Sequence, residues 1–223
     1  PLMDNPALLA ETLARMEDPG VGIFDLELIR VNADVNEQDY LAFFEVGERL
    51  GARAVLIAGD DREFSRLVEN YARLCEAMQP YGLSADLEFM PWTAVPDLTT
   101  ALRIVGQADQ VNGGILIDAL HFDRSDSRVE DIAKIPTQWL HYAQICDGPA
   151  QRPTTDEGLI YAARNERLLP GEGAIDLRRI WQSLPAELPI SIEIPNEQRV
   201  AQVGVEAWAR SALVAAKATL GPA

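Results

Sequence analysis

The sequence predicts an α/β protein whose parallel strands close into a (β/α)8 barrel, and three observations lead there. Short apolar runs alternate with stretches of helical period along all 223 residues. The runs are apolar on both faces, as strands covered by helices on either side must be. Polar residues recur near the carboxyl ends of four different runs, where barrel strands carry their functional groups. An open doubly wound sheet would place a glycine-rich phosphate loop after its first strand, and neither GxGxxG nor GxxxxGKS/T occurs.

The elements follow in order. The periodicity predicts helix 6–17, strand 21–31, helix 37–50, strand 53–58, helix 62–79, strand 83–90 and helix 96–106. It continues with strand 113–118, a short helix near 128–133, strand 139–146, helices near 155–166 and 175–183, strand 189–194 and a final helix 199–219. Asn5 can cap a helix that opens on Pro6, Asp97 beside Pro96 can cap another, and Gly51 and Gly82 can stop helices. Asp60 and Asp61 are expected to cap the helix after the VLIAG strand. Six strands fall two short of a closed barrel. Because the chain opens on a helix with no strand before it, an N-terminal β-α-β portion is expected to be absent from this numbering. Residues 1–223 are expected to form a single domain.

Composition narrows the function. With 19 basic against 35 acidic residues the net charge is −16, which repels phosphate backbones and anionic membrane surfaces, so neither nucleic acid nor membrane is expected as a partner. Cys75 and Cys146 show no CxxC or zinc spacing and imply a reducing, cytoplasmic setting. Apolar stretches are strand-sized, so no membrane span is visible, and no secretion leader opens the sequence.

Glu88, Asp118, Gln144 and Glu193 stand near the ends of the runs LSADLEFM, GGILIDALHF, WLHYAQICD and LPISIEIP. Each would bury a polar group in a core unless a strong partner required it there. A single divalent metal, bound by one residue from each strand, meets that requirement. Three carboxylates and an amide oxygen suit Mn²⁺, Mg²⁺ or Co²⁺ better than Zn²⁺, which prefers nitrogen and sulfur.

These residues also carry a resemblance. The Glu of LEFMPW, the Asp-x-x-His of IDALHF (Asp118, His121), Gln144 followed by Asp147 in HYAQICD, the RLLPGEGAID segment (Arg167, Gly171, Glu172, Gly173, Asp176) and the closing SIEIP resemble the xylose isomerase-like TIM-barrel family across essentially the whole chain. That family includes sugar phosphate isomerases and epimerases, hydroxypyruvate isomerase, and inosose and 3-dehydroshikimate dehydratases. The resemblance implies that the four strand-end residues hold a divalent metal that binds the substrate's carbonyl and neighbouring oxygen. Many members carry His where this chain has Gln144; Gln there resembles a dehydratase-like subset. The same fold hosts DNA-repair endonucleases with three zinc ions and many histidines, against which two His and a charge of −16 weigh strongly.

The implied chemistry begins with a carbonyl polarised by the ion, which acidifies the neighbouring C–H and stabilises the enediolate. Glu88 and Glu193 are the expected acid/base pair, by resemblance to the epimerases. Return of the proton to the opposite face gives epimerisation and to the adjacent carbon isomerisation; departure of a β-hydroxyl gives dehydration. His121 can donate to a substrate oxygen or leaving hydroxyl. Arg167 can fork onto a substrate carboxylate or phosphate, or pair with Glu172 or Asp176 in its loop. Trp92 can wall the pocket with its ring, or anchor a loop. Arg30 closes its strand at a pocket position, or pairs with Glu27. His141 faces the other side of its strand and is excluded. The expected partner is a small sugar or keto-polyol, with a homo-oligomer compatible.

Overall fold

The computed structural model describes residues 1–17 and 19–221. Its elements are α1 (Pro6–Glu17), β1 (Asp25–Val31), α2 (Leu41–Leu50), β2 (Ala54–Gly59), α3 (Phe64–Met78), β3 (Ser84–Glu88), α4 (Leu98–Ala108) and β4 (Gly113–Asp118). They continue with α5 (Ala119–Arg124), α6 (Val129–Ile132), β5 (Ala143–Ile145), α7 (Asp156–Asn165), α8 (Leu177–Gln182), β6 (Ile190–Ile192), α9 (Glu197–Val203) and α10 (Val205–Leu220). Strand order in the sheet follows the chain from β1 to β6. A sheet wound in one direction with a helical crossover between neighbours is the winding of a (β/α) barrel.

Packing divides the chain into two compact units, one of Pro1–Leu87 with Ile104–Gly114, the other of Glu88–Arg103 with the chain from Ile115. In the first, β1 and β2 pair in parallel, with Asp25 opposite Ala54 and Val31 opposite Gly59. Every residue of β2 is buried, as a central parallel strand requires. Tyr71 of α3 fastens the edge of the next pair: its buried hydroxyl donates to Ala85 O (2.7 Å) and accepts from Gly114 N (3.1 Å). The expected caps at Asn5 and Asp97 are present, and Gly51 and Gly82 end helical segments in the left-handed conformation.

In the second unit β5 pairs in parallel with both β4 and β6, placing Asp118 opposite Gln144 and Gln144 opposite Ser191. Phe89 and Phe122 meet edge to face with centroids 6.3 Å apart.

Several boundaries differ from expectation for local reasons. The strand expected at 139–146 is three residues, because Pro136 starts a 3-10 turn over Thr137–Trp139. The final helix starts early, where Asn196 accepts Arg199 N–H (3.0 Å), and breaks at Gly204, whose φ of +85° interrupts the helical run. A helix not expected, α5, begins directly after β4 because Asp118 caps it. Asp60 and Asp61 do not cap α3 themselves. Glu63 does, accepting from Ser65 N and Arg66 N, while Asp60 pairs with Arg30 and Asp61 takes the fork of Arg66.

Candidate metal centre

All four expected ligands lie in the second unit, each within or just after a different strand. Glu88 is the last residue of β3 and Asp118 the last of β4; Gln144 is central in β5, and Glu193 follows β6, with its N–H donating to Ile145 O (3.2 Å). Asp118 and Gln144 are fully buried, and the Glu193 side chain is 31% exposed. One heteroatom of the Gln144 amide lies 3.1 Å from Glu88 Oε1 and 3.3 Å from Glu193 Oε2.

That arrangement tests whether the residues fit a metal. With nitrogen in that place, Gln144 donates to both carboxylates. With oxygen there, three acceptors converge, an arrangement that repels unless a cation lies among them. The spacing suits an ion, since oxygens about 2.1–2.4 Å from a common centre stand about 3.0–3.4 Å apart at right angles. The donor set fits a divalent metal.

His121 joins the group. The Asp118 carboxylate caps α5 by accepting His121 N–H at Oδ1 (2.9 Å), and this turns the imidazole toward the acids. Nε2 lies 3.7 Å from Glu88 Oε1 and 3.9 Å from Asp118 Oδ1, so Glu88, Asp118 and His121 form a buried cluster of metal-ligating type. Burial pushes the His121 pKa down to about 4 against the pull of Asp118, with Arg167 adding to the fall, which leaves the ring neutral near pH 7. An Arg167 nitrogen lies 3.4 Å from Nε2, and because a guanidinium only donates, a hydrogen bond there requires the tautomer with the ring proton on Nδ1. Nδ1 is buried and has no hydrogen-bond partner among the described residues. Trp92 packs edge to face on this ring, centroids 5.1 Å apart at 81°.

Arg167 does not pair with Glu172 or Asp176. Glu172 pairs with Arg199, and Asp176 caps α8 by accepting Arg179 N–H. The Arg167 guanidinium is buried instead, 2.6 Å from Asp118 Oδ2 and 3.2 Å from Glu193 Oε2. Burial alone would raise the Asp118 pKa, but Arg167 and His121 hold the carboxyl below the usual carboxylate range. Arg30 belongs to the other unit, where it donates to Asp60 Oδ2 (2.8 Å).

Asp147 has a part that sequence reasoning did not assign. Its carboxylate accepts four backbone N–H groups, from Gly148 (2.8 Å) and Ile175 (3.1 Å) at Oδ1 and from Gly171 (2.9 Å) and Gly173 (3.0 Å) at Oδ2. Its backbone also exchanges hydrogen bonds with Leu168, the residue after Arg167. The RLLPGEG segment is therefore wrapped around one buried acid, and the Gln-x-x-Asp spacing was the available signal. A Cβ on Gly173 would come within 2.3 Å of Asp147 Oδ1, and of Gly148 O at the same distance. Gly173→Ala is expected to cost about 1–3 kcal/mol by overpacking this clamp; a denaturant melt indistinguishable from wild type would contradict it.

A family model described as a xylose isomerase-like TIM barrel matches residues 6–217. The chain belongs to this family. Among curated proteins it is 26% identical over 163 residues to a 3-dehydroshikimate dehydratase of Pseudomonas aeruginosa, a match spanning 69% of the chain and 25% of that protein. It is 29% identical over 112 residues to the inosose isomerase of Bacillus subtilis, spanning 49% of the chain and 38% of the relative. The chain thus matches well under half the length of either enzyme. Among solved structures it resembles the IolI protein with a bound zinc atom at a TM-score of 0.79 and 19% identity, over 95% of this chain and 81% of that one. This likeness establishes the TIM-barrel fold. No helix among the described residues is long and apolar enough to cross a membrane.

Proposed function

We propose that this family member is a divalent-metal-dependent isomerase or epimerase acting on a small polyhydroxylated ketone or aldehyde. The observation that carries the reading is the convergence of the Glu88, Gln144 and Glu193 side chains within 3.1–3.3 Å, with Asp118 and His121 in the same buried cluster. Glu88, Asp118, Gln144 and Glu193 would hold the ion, with Mn²⁺, Mg²⁺ or Co²⁺ favoured by the oxygen set. When bound, such an ion supplies a positive charge that polarises the substrate carbonyl and acidifies the adjacent C–H.

The chain's own groups do the rest. Glu193, the most exposed of the acids, takes the proton from carbon, and Glu88 returns one from the opposite side. The neutral His121 offers its unpaired Nδ1 proton to a substrate oxygen, and Trp92 holds the ring in place and walls the pocket. Arg167 offers the one N–H left over from its contacts with the protein to a substrate oxygen. The reading takes 1–223 as one catalytic domain, supported by the single family match over 6–217. Two buried free thiols, with the Cys146 pKa pushed up to about 12 by burial and the Asp118 charge, suit a reducing cytoplasm.

A second reading is a dehydratase of a cyclic keto-polyol. The match to 3-dehydroshikimate dehydratase over 69% of the chain favours it. One experiment separates the two. The protein is loaded with Mn²⁺ and incubated in D₂O with keto-sugars, an inosose and 3-dehydroshikimate, and the products are followed by NMR. Deuterium entering at the carbon next to the carbonyl, with the formula otherwise unchanged, is expected for isomerisation or epimerisation. Loss of water from the substrate marks the dehydratase. Turnover that is unaffected by chelation would remove the metal from both readings.

A further inference from the structure

We infer that Arg167 is a built-in counter-cation of the metal centre, one that weakens the hold of the site on a dication and matches its charge to two. The inference rests on the metal reading above. Glu88, Asp118 and Glu193 bring three formal negative charges together, and the Arg167 guanidinium lies 2.6 Å from one of these carboxylates and 3.2 Å from another. The four groups carry a formal charge of minus two. A divalent ion neutralises this set, whereas without Arg167 the same acids would retain an excess charge in a buried place.

The guanidinium is a fixed part of the site. Its Nε donates to Ala163 O (2.8 Å), its backbone N–H donates to Pro195 O (3.3 Å), and its carbonyl accepts from Asn196 Nδ2 (3.0 Å). The residue is only 2% exposed, so the charge has no path to solvent short of unmaking those bonds. It also claims one oxygen of Asp118 while His121 N–H claims the other, so that neither oxygen of this acid is unshared. A positive charge held beside two ligand carboxylates opposes a second cation more strongly in a buried site than it would in water.

The test is a Mn²⁺ titration of wild type, Arg167→Gln and Arg167→Lys, with free Mn²⁺ read by electron paramagnetic resonance. Arg167→Gln is expected to bind Mn²⁺ at least about tenfold more tightly than wild type, since a unit charge within a few ångströms has been removed. Arg167→Lys keeps the charge and is expected to bind within about threefold of wild type, a difference too small to be a lost unit charge. If Arg167→Gln folds only with metal, the chelator concentration that strips it replaces the direct titration and is expected to be higher than for wild type. Equal or weaker Mn²⁺ binding by Arg167→Gln overturns the inference and leaves the metal site standing. Tightening in Arg167→Lys as large as in Arg167→Gln overturns it too, because shape and not charge would then be responsible. A wild-type protein that binds no Mn²⁺ overturns both the inference and the metal reading.

Discussion

Glu193→Gln is expected to lower kcat by about 10²–10⁴-fold while the fold stays intact. The substitution keeps the shape of the side chain and removes its ability to take a proton, together with one negative charge of the proposed metal set. Folding should tolerate it, because Glu193 is the most exposed of the three acids and the amide, with 31% of its side chain accessible. Arg167 keeps its shorter pairing with Asp118 (2.6 Å) when the 3.2 Å contact to Glu193 loses its charge. Turnover on the substrate found in the screen, measured beside a thermal melt, checks both halves. A near wild-type kcat would make Glu193 a structural residue.

Asp118→Ala is expected to act through stability as well as activity, with a loss of about 3–5 kcal/mol from stranding a buried charge. Asp118 is fully buried and is the nearest counter-charge to a guanidinium that is itself 2% exposed. The same carboxylate caps α5, so its removal also frees the His121 N–H, which adds about 1 kcal/mol and loosens the imidazole. For a chain of this size the drop corresponds to roughly 6–20 °C in Tm. Asp118→Asn separates the two contributions, since an amide oxygen still caps the helix but no longer answers the charge. A loss below about 1 kcal/mol in Asp118→Ala would show that Glu193 alone suffices for Arg167.

The two substitutions alter acids of the same cluster and are expected to fail differently, one in chemistry alone and the other in folding as well. The difference comes from burial. A carboxylate that water can still reach exchanges partners at little cost, whereas one at zero exposure is committed to the partner it has.

Much of this was legible in the sequence. Period and composition place six strands and their crossover helices, because the alternation of strand and helix is written in local patterns of apolar residues. Gly51, Gly82, Asn5 and Asp97 punctuate those elements by backbone rules that act over four or five residues. The positions of Glu88, Asp118, Gln144 and Glu193 near the ends of apolar runs follow from the same patterns, and an acid at the end of an apolar run announces itself as costly without a partner.

What the sequence did not determine is who the partners are. Arg167 meets Asp118 across 49 residues and Glu193 across 26, and its choice of these acids over the loop acids Glu172 and Asp176 depends on the path of the segment after α7. Asp147 decides that path by gathering the backbone N–H groups of Gly171, Gly173 and Ile175 together with that of its own neighbour Gly148, a contact set that no periodicity encodes. The cap that turns His121 toward Glu88 likewise exists only once β4 ends at Asp118 and the next residues coil into α5. Local sequence sets the elements because helix and strand preferences act between near neighbours. The charge balance of the site is set by register and loop closure, which bring together groups that the chain keeps far apart.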